Sequence, residues 1–348
     1  MTRFHVTATG HSLNYLPEYI ARRHGFFKEQ GLEVTVTVPK PWDLVLDELA
    51  DGTADAAIGG IWVPSMYRGR GKQYTIFAQM SNRCPLALVK RGSGQGFKVS
   101  HVSGSTVLMK SGNGASVGLF TKMILRENGV DLTTVDFIQD LEGAMLAELF
   151  KGGMGDYFVI DIVTACSLAQ KYPDDLSVVM EMATDGGDIP WSVYYRETET
   201  ITPAVLDAQK RFCIALAKGM EWVQTHDAAS EEFRNELADL FPAAPIDVLV
   251  DLTNLYRCSE MWTSPSVSRH GFERWQKGIA DGRLVAEPLV YGSIVDNGPA
   301  AAAMAALASQ AVDGSSAGMD VALVNGLREK RNGMRTYRAV VDTVPVLN

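Results

Sequence analysis

The residues RFHVTAT alternate, so Phe4, Val6 and Ala8 share one face of a strand. LEVTVTV, from Leu32, alternates more strictly and is rich in β-branched residues. Short strand-like runs continue with DAAIGG, YTIFAQM, LALVK, TVLMK, VDFIQ, DYFVI, LSVVMEMA and WSVYYR. Between them, helix-period segments cover residues 15–30, 43–51, 115–128, 142–151 and 162–171. Strand alternating with helix predicts an α/β fold with largely parallel sheets. After Arg196 the pattern becomes helical. Thr202-Pro203 is a helix start, Thr as N-cap and Pro in the first turn, and that helix is expected to run to 226. Further helices fit 230–241, 246–256, 268–281 and 300–311, before a loop DGSSAG and a tail ending YRAVVDTVPVLN. No internal repeat of solenoid length is present.

Two α/β stretches followed by a helical one predict two lobes. VKRGSGQGF and TDGGDIPW, rich in Gly and polar residues, are the expected connections. The expected organisation is a first lobe of residues 1–89 plus 190–297, an inserted second lobe of 90–189, and a C-terminal helical extension of 298–348. Two crossings would make a hinge.

Composition changes this picture mainly by exclusion. The chain has 348 residues, is 46% hydrophobic and carries a formal net charge of -9, so a nucleic-acid partner is not expected. No uninterrupted apolar stretch is long enough to span a bilayer, so direct membrane insertion is not expected either. Cys84, Cys166, Cys213 and Cys258 form no CxxC pair and no zinc-ligand spacing; neither metal nor cofactor is expected. MTRFHVTATG reads as a strand rather than a secretory signal. The expectation is a chain that is cytoplasmic as written, or a periplasmic one whose export signal has been replaced by Met1.

Four stretches carry candidate chemistry. In LMKSGNGASVGLFTKMIL a strand enters the turn Ser111-Gly112-Asn113-Gly114-Ala115, which opens a helix. Unpaired N–H groups and the positive end of the macrodipole make such a turn a seat for an anion. It reads equally as a plain strand–helix connection, and it lacks the Walker A ending. GTADAAIGGIWVPS places Gly59, Gly60 and Trp62 at a strand's carboxyl end, where ligand crevices of α/β sheets lie; Trp62 also reads as a packing residue. TGHSLNYLPEY puts His11, Ser12, Asn14 and Tyr15 at the end of the first strand. In DGGDIPW, Asp185 and Asp188 are an acid–base pair or, more ordinarily, turn formers, while Trp191 is a cleft candidate. No GxSxG elbow is present. His11 is read as a hydrogen-bond donor to ligand, with a proton-moving role as the alternative.

YLPEYIARRHGFFKEQGLEVTV, then LADGTADAAIGG, then LEGAMLAELFKGGMGDYFVI, resembles the SsuA/THI5-like (NMT1-like) family in order and content, and GIADGRLVAEPLVYGSIVDN resembles its closing segment. The resemblance covers residues 4–297 and implies a two-lobed type II periplasmic-binding-protein fold, each lobe a mainly parallel sheet flanked by helices. It implies a solute-binding protein of an ABC-type uptake system, whose partners are a small anionic or flat (hetero)aromatic ligand and a permease. His11, Ser12, Asn14, Tyr15, Gly59, Gly60 and Trp62 would contact ligand from one lobe, the Ser111–Ala115 turn from the other. Tyr157, Asp161 and Trp191 would complete the cleft. The family also contains enzymes, so the alternative is a cytoplasmic enzyme on the same fold, related to decarboxylases, lyases, desulfinases or thiamine-pyrimidine synthases, acting on a small aromatic acid with His11. The cysteine-rich motif of the pyrimidine synthases and the turn cysteine of the desulfinases have no counterpart here.

Overall fold

A computed structural model describes residues 1–110, 114–141 and 143–314. Among these, ten strands form two five-stranded sheets. The strands are β1 (Thr2–Ala8), β2 (Leu32–Thr37), β3 (Ala56–Gly60), β4 (Tyr74–Ser81), β5 (Leu86–Arg91), β6 (Thr106–Lys110), β7 (Asp136–Leu141), β8 (Tyr157–Asp161), β9 (Leu176–Glu181) and β10 (Ser192–Glu197). The first sheet runs β2-β1-β3-β10-β4 and the second β7-β6-β8-β5-β9. β1 is parallel to β2 and β3, and β6 to β7 and β8. β10 and β5 are antiparallel to both their neighbours. Both sheets therefore repeat one topology, and in each the reversed strand is the one arriving from the other sheet. Both sheets belong to one compact unit, Met1–Met304.

Strand pairing moves the first expected boundary. Leu86–Val89 pair with β8 and β9, so the crossing lies at 82–85, not after residue 89. The Gly-rich stretch instead closes a loop within the second lobe, where Gly92 N–H donates to the Asp175 carbonyl at 2.7 Å. Glycine marks a turn without saying what the turn connects, and the true crossing, Asn-Arg-Cys-Pro, has no glycine. The return crossing lies between the short helix Met182–Asp185 and β10. There Asp188 pairs with Arg83 of the first crossing, and the Asp185 carboxylate accepts from Glu181 N–H at 3.1 Å. Both aspartates are structural.

The helix Pro203–Thr225 starts as its sequence predicts, with Thr202 Oγ1 accepting from Val205 N–H at 3.3 Å. It covers the Phe4 face of β1: Phe212 stacks on Phe4 at 4.9 Å and lies 4.9 Å from Phe27. Gly219 sits inside this helix because a Cβ there would stand 2.2 Å from the Pro17 carbonyl oxygen of the helix Leu16–Arg23. The helix Arg269–Asp281 lies against the second lobe: Arg274 holds Glu127 through Nε and Nη2 (3.0 and 2.5 Å) and donates from Nη1 to the carbonyls of Gly186 and Asp188 (2.6 and 3.0 Å). The last described element is the helix Gly298–Gly314. The expected tail beyond it lies outside the described residues. No helix among the described residues is long and apolar enough to cross a membrane.

Glu18 is buried under the first sheet, 2.8 Å from Arg22 and accepting from the Tyr194 hydroxyl at 3.2 Å. Burial raises its carboxyl above the ordinary 4.5, outweighing Arg22 and Tyr194. The folded state then keeps a proton that the unfolded chain has lost, so stability falls as pH rises above 4.5. Glu18→Gln is expected to gain on the parent as pH rises from that value toward neutrality in urea titrations. A pH-independent difference would discard burial as the controlling cause.

Candidate functional site

Because β1 and β3 run parallel side by side, their carboxyl ends open on the same edge of the first sheet. β1 ends at Ala8 and passes through the turn to a short 3-10 helix, Leu13–Tyr15. β3 ends at Gly60, and the helix Trp62–Tyr67 follows. From the second sheet, β6 ends at Lys110 and β8 at Asp161. These four ends meet around a cleft of about 530 Å³, within the usual range for a small-molecule site.

Of the residues expected there, His11, Ser12, Asn14, Tyr15, Gly60, Trp62, Asp161 and Trp191 line the cleft. Gly59 lies behind the wall: a Cβ would fall 2.7 Å from Thr9 Cγ2, so its role is to let Thr9 reach the edge. Gly60 serves Trp62 in the same way, since a Cβ would fall 2.5 Å from the indole Cδ1 and Nε1. Tyr157 is a correction. It begins β8, at the opposite end of the strand from Asp161, buried against Phe97 with its hydroxyl donating to the His101 carbonyl at 3.4 Å. Ser111, Gly112 and Asn113 lie outside the described residues. Gly114 and Ala115 stand in the first turn of the helix Gly114–Glu127, and the next residue, Ser116, lines the cleft.

Hydrogen bonding separates residues that face the cleft from those that build it. Asn14 is 2% exposed. Its amide donates to Ser81 and Ser192, both at 3.2 Å, and its Oδ1 accepts from the Ser12 hydroxyl. Ser81 ends β4 and Ser192 opens β10, so Asn14 ties the first turn to both crossings. Its own carbonyl accepts from the indole N–H of Trp262 at 2.9 Å. Asn14 is thus committed to the frame. Burial pushes the Tyr15 phenol above its ordinary range, against hydrogen bonds with Ser192 and Thr9. Asp161 caps the helix Ile162–Lys171, accepting from Thr164 N–H at 2.9 Å, yet stays exposed.

The aromatic walls are Trp62, Trp42 and Trp191. Trp42 meets Trp62 edge-on at 5.7 Å, and Trp191 meets Phe120 edge-on at 5.6 Å. Trp42 and Lys110 were not singled out from the sequence. Lys110 is the last residue of the strand TVLMK, directly before the Gly-rich turn, and its position at a strand's carboxyl end was the available signal. It is half-buried, and among the described residues no carboxylate lies within ion-pair distance of it. No cluster of three His, Cys, Asp or Glu among the described residues is placed to hold a metal.

The chain is similar to YtlA of Bacillus subtilis (strain 168), which carries the name of a binding protein, at 25% identity over 262 residues, 74% of this chain and 76% of that one. Its fold is shared by the periplasmic sulfonate-binding protein SsuA from Methylobacillus flagellatus KT (TM-score 0.68, 13% identity, 88% of this chain and 95% of that one). The desulfurization enzyme DSZB shares it too (TM-score 0.61, 11% identity, 88% of this chain and 100% of that one). The architecture is therefore the two-lobed fold of periplasmic binding proteins. The sequence profile described as NMT1/THI5 like matches residues 12–229, well over half of the chain, and the protein belongs to that family.

Proposed function

We propose that the protein is the solute-binding component of an ABC-type uptake system and captures a small, flat, anionic aromatic molecule between its lobes. The observation that carries this reading is Lys110, a half-buried cation at a strand end in an aromatic-walled cleft. Among the described residues no carboxylate pairs with this ammonium, which favours an anion from solution, and the indole walls favour a flat ring. A sulfonate, the ligand class that the structural neighbour SsuA is named for, is an anion. Ligand contacts drawn from both lobes would favour the closed arrangement, the form a permease could recognise.

DSZB shows that the same fold also serves an enzyme, so the test must watch for chemistry as well as for binding. Calorimetric titration with benzenesulfonate and benzoate is expected to give one site per chain. Mass spectrometry after overnight incubation is expected to recover each probe unchanged. Absence of heat with both probes, or conversion of either, overturns the reading.

A further inference from the structure

His11 and Ser12 of the first lobe and Lys110 of the second present opposite hydrogen-bonding characters to the cleft, whose second-lobe wall also carries the exposed Asp161 carboxylate. On the first lobe, His11 Nε2 lies 2.9 Å from the carbonyl oxygen of Leu240. A carbonyl can only accept, so Nε2 carries the proton, and in the neutral ring Nδ1 is left as an acceptor. The ring is held in this orientation: it stacks on Tyr19 at 4.8 Å and leans on Phe241 at 4.8 Å. Nδ1 has no hydrogen-bond partner among the described residues. The charged groups around this corner are engaged elsewhere. Asp239 and Glu236 pair with Arg23, Glu18 pairs with Arg22, and the Tyr19 hydroxyl accepts from Ser12 N–H at 3.1 Å.

Ser12 carries the same character by an independent route. Its single hydroxyl proton goes to Asn14 Oδ1, so toward the cleft its oxygen can only accept. The Asn14 amide, the obvious donor in this turn, is spent on Ser81 and Ser192. Across the cleft, on the second lobe, Lys110 offers only donors and a positive charge.

We infer that His11 and Ser12 select ligand by accepting hydrogen bonds, so that the ligand pairs an anionic group at Lys110 with an N–H or O–H donor on the part facing the first lobe. The ligand class is an amino- or hydroxy-substituted aromatic acid. This rests on the reading of the cleft as an anion site. It reverses the donor role that the sequence suggested for His11, because only the fold brings the Leu240 carbonyl to its Nε2.

The test compares para-aminobenzenesulfonate with para-toluenesulfonate, alike in size and charge and differing in the donor. At mildly alkaline pH, calorimetry is expected to show the amino compound binding about tenfold tighter. His11→Phe, which keeps an aromatic ring against Tyr19 and Phe241, is expected to shrink that ratio to within about threefold. Equal affinities, a preference for the methyl compound, or a ratio untouched by His11→Phe each overturn the inference while leaving the anion site standing. Failure of both sulfonates to bind removes the anion site and this inference with it.

Discussion

Lys110→Gln is expected to weaken capture of benzenesulfonate by about 10- to 100-fold, and Lys110→Glu to abolish it. A charge-assisted hydrogen bond contributes about 1.5–3 kcal/mol, and each 1.4 kcal/mol is about a tenfold change in affinity. The reversed charge adds repulsion in a partly dry cleft, where screening is weaker than in open water. Added salt should therefore weaken binding to the parent protein more than to the Gln variant. Stability should change by no more than about 0.5 kcal/mol, because among the described residues Lys110 has no carboxylate partner to orphan. Calorimetry on both variants, with a urea melt as control, is the measurement. An affinity within twofold of the parent would move the anion away from Lys110.

Trp262→Ala should have the largest effect on folding. The side chain is 1% exposed, packs edge-on against Tyr256 at 5.4 Å, and donates its indole N–H to the Asn14 carbonyl. Truncating a buried Trp costs about 3–5 kcal/mol, and a buried carbonyl left unpaired adds about 1–3 kcal/mol. The total approaches the whole stability of an ordinary domain, roughly 5–15 kcal/mol. Trp262→Phe keeps much of the packing and loses the hydrogen bond, so it should remain folded and measurable at a cost of about 1–3 kcal/mol. Because Asn14 holds both crossings through Ser81 and Ser192, the Phe variant should also bind ligand more weakly. Urea midpoints for the two variants decide it: a loss under about 1 kcal/mol for the Ala variant would discard Trp262 as the support of the first turn.

Sequence and structure agree where local chemistry decides. Alternation in RFHVTAT and LEVTVTV sets the faces of β1 and β2, and Thr202-Pro203 starts its helix, because period and capping act within a few residues. They part where a residue's partner is distant. Tyr157 and Asp161 lie four positions apart in YFVID, but one is at each end of β8 and only Asp161 reaches the cleft. The stretch VKRGSGQGF has the composition of a crossing and is an internal loop, because strand pairing, not glycine content, determines which sheet Leu86–Val89 joins.

The sequence by itself determined the α/β alternation, the two-lobe plan, the family, and the polar turn at the end of the first strand, all of which follow from periodicity and short motifs. Only the tertiary structure decided what that turn does with its side chains. Asn14 gives its amide to serines 67 and 178 residues away, and His11 gives its proton to a carbonyl 229 residues away. A hydrogen-bonding group can be counted from sequence, but which of its donors and acceptors remain for a ligand depends on the partners folding brings to it.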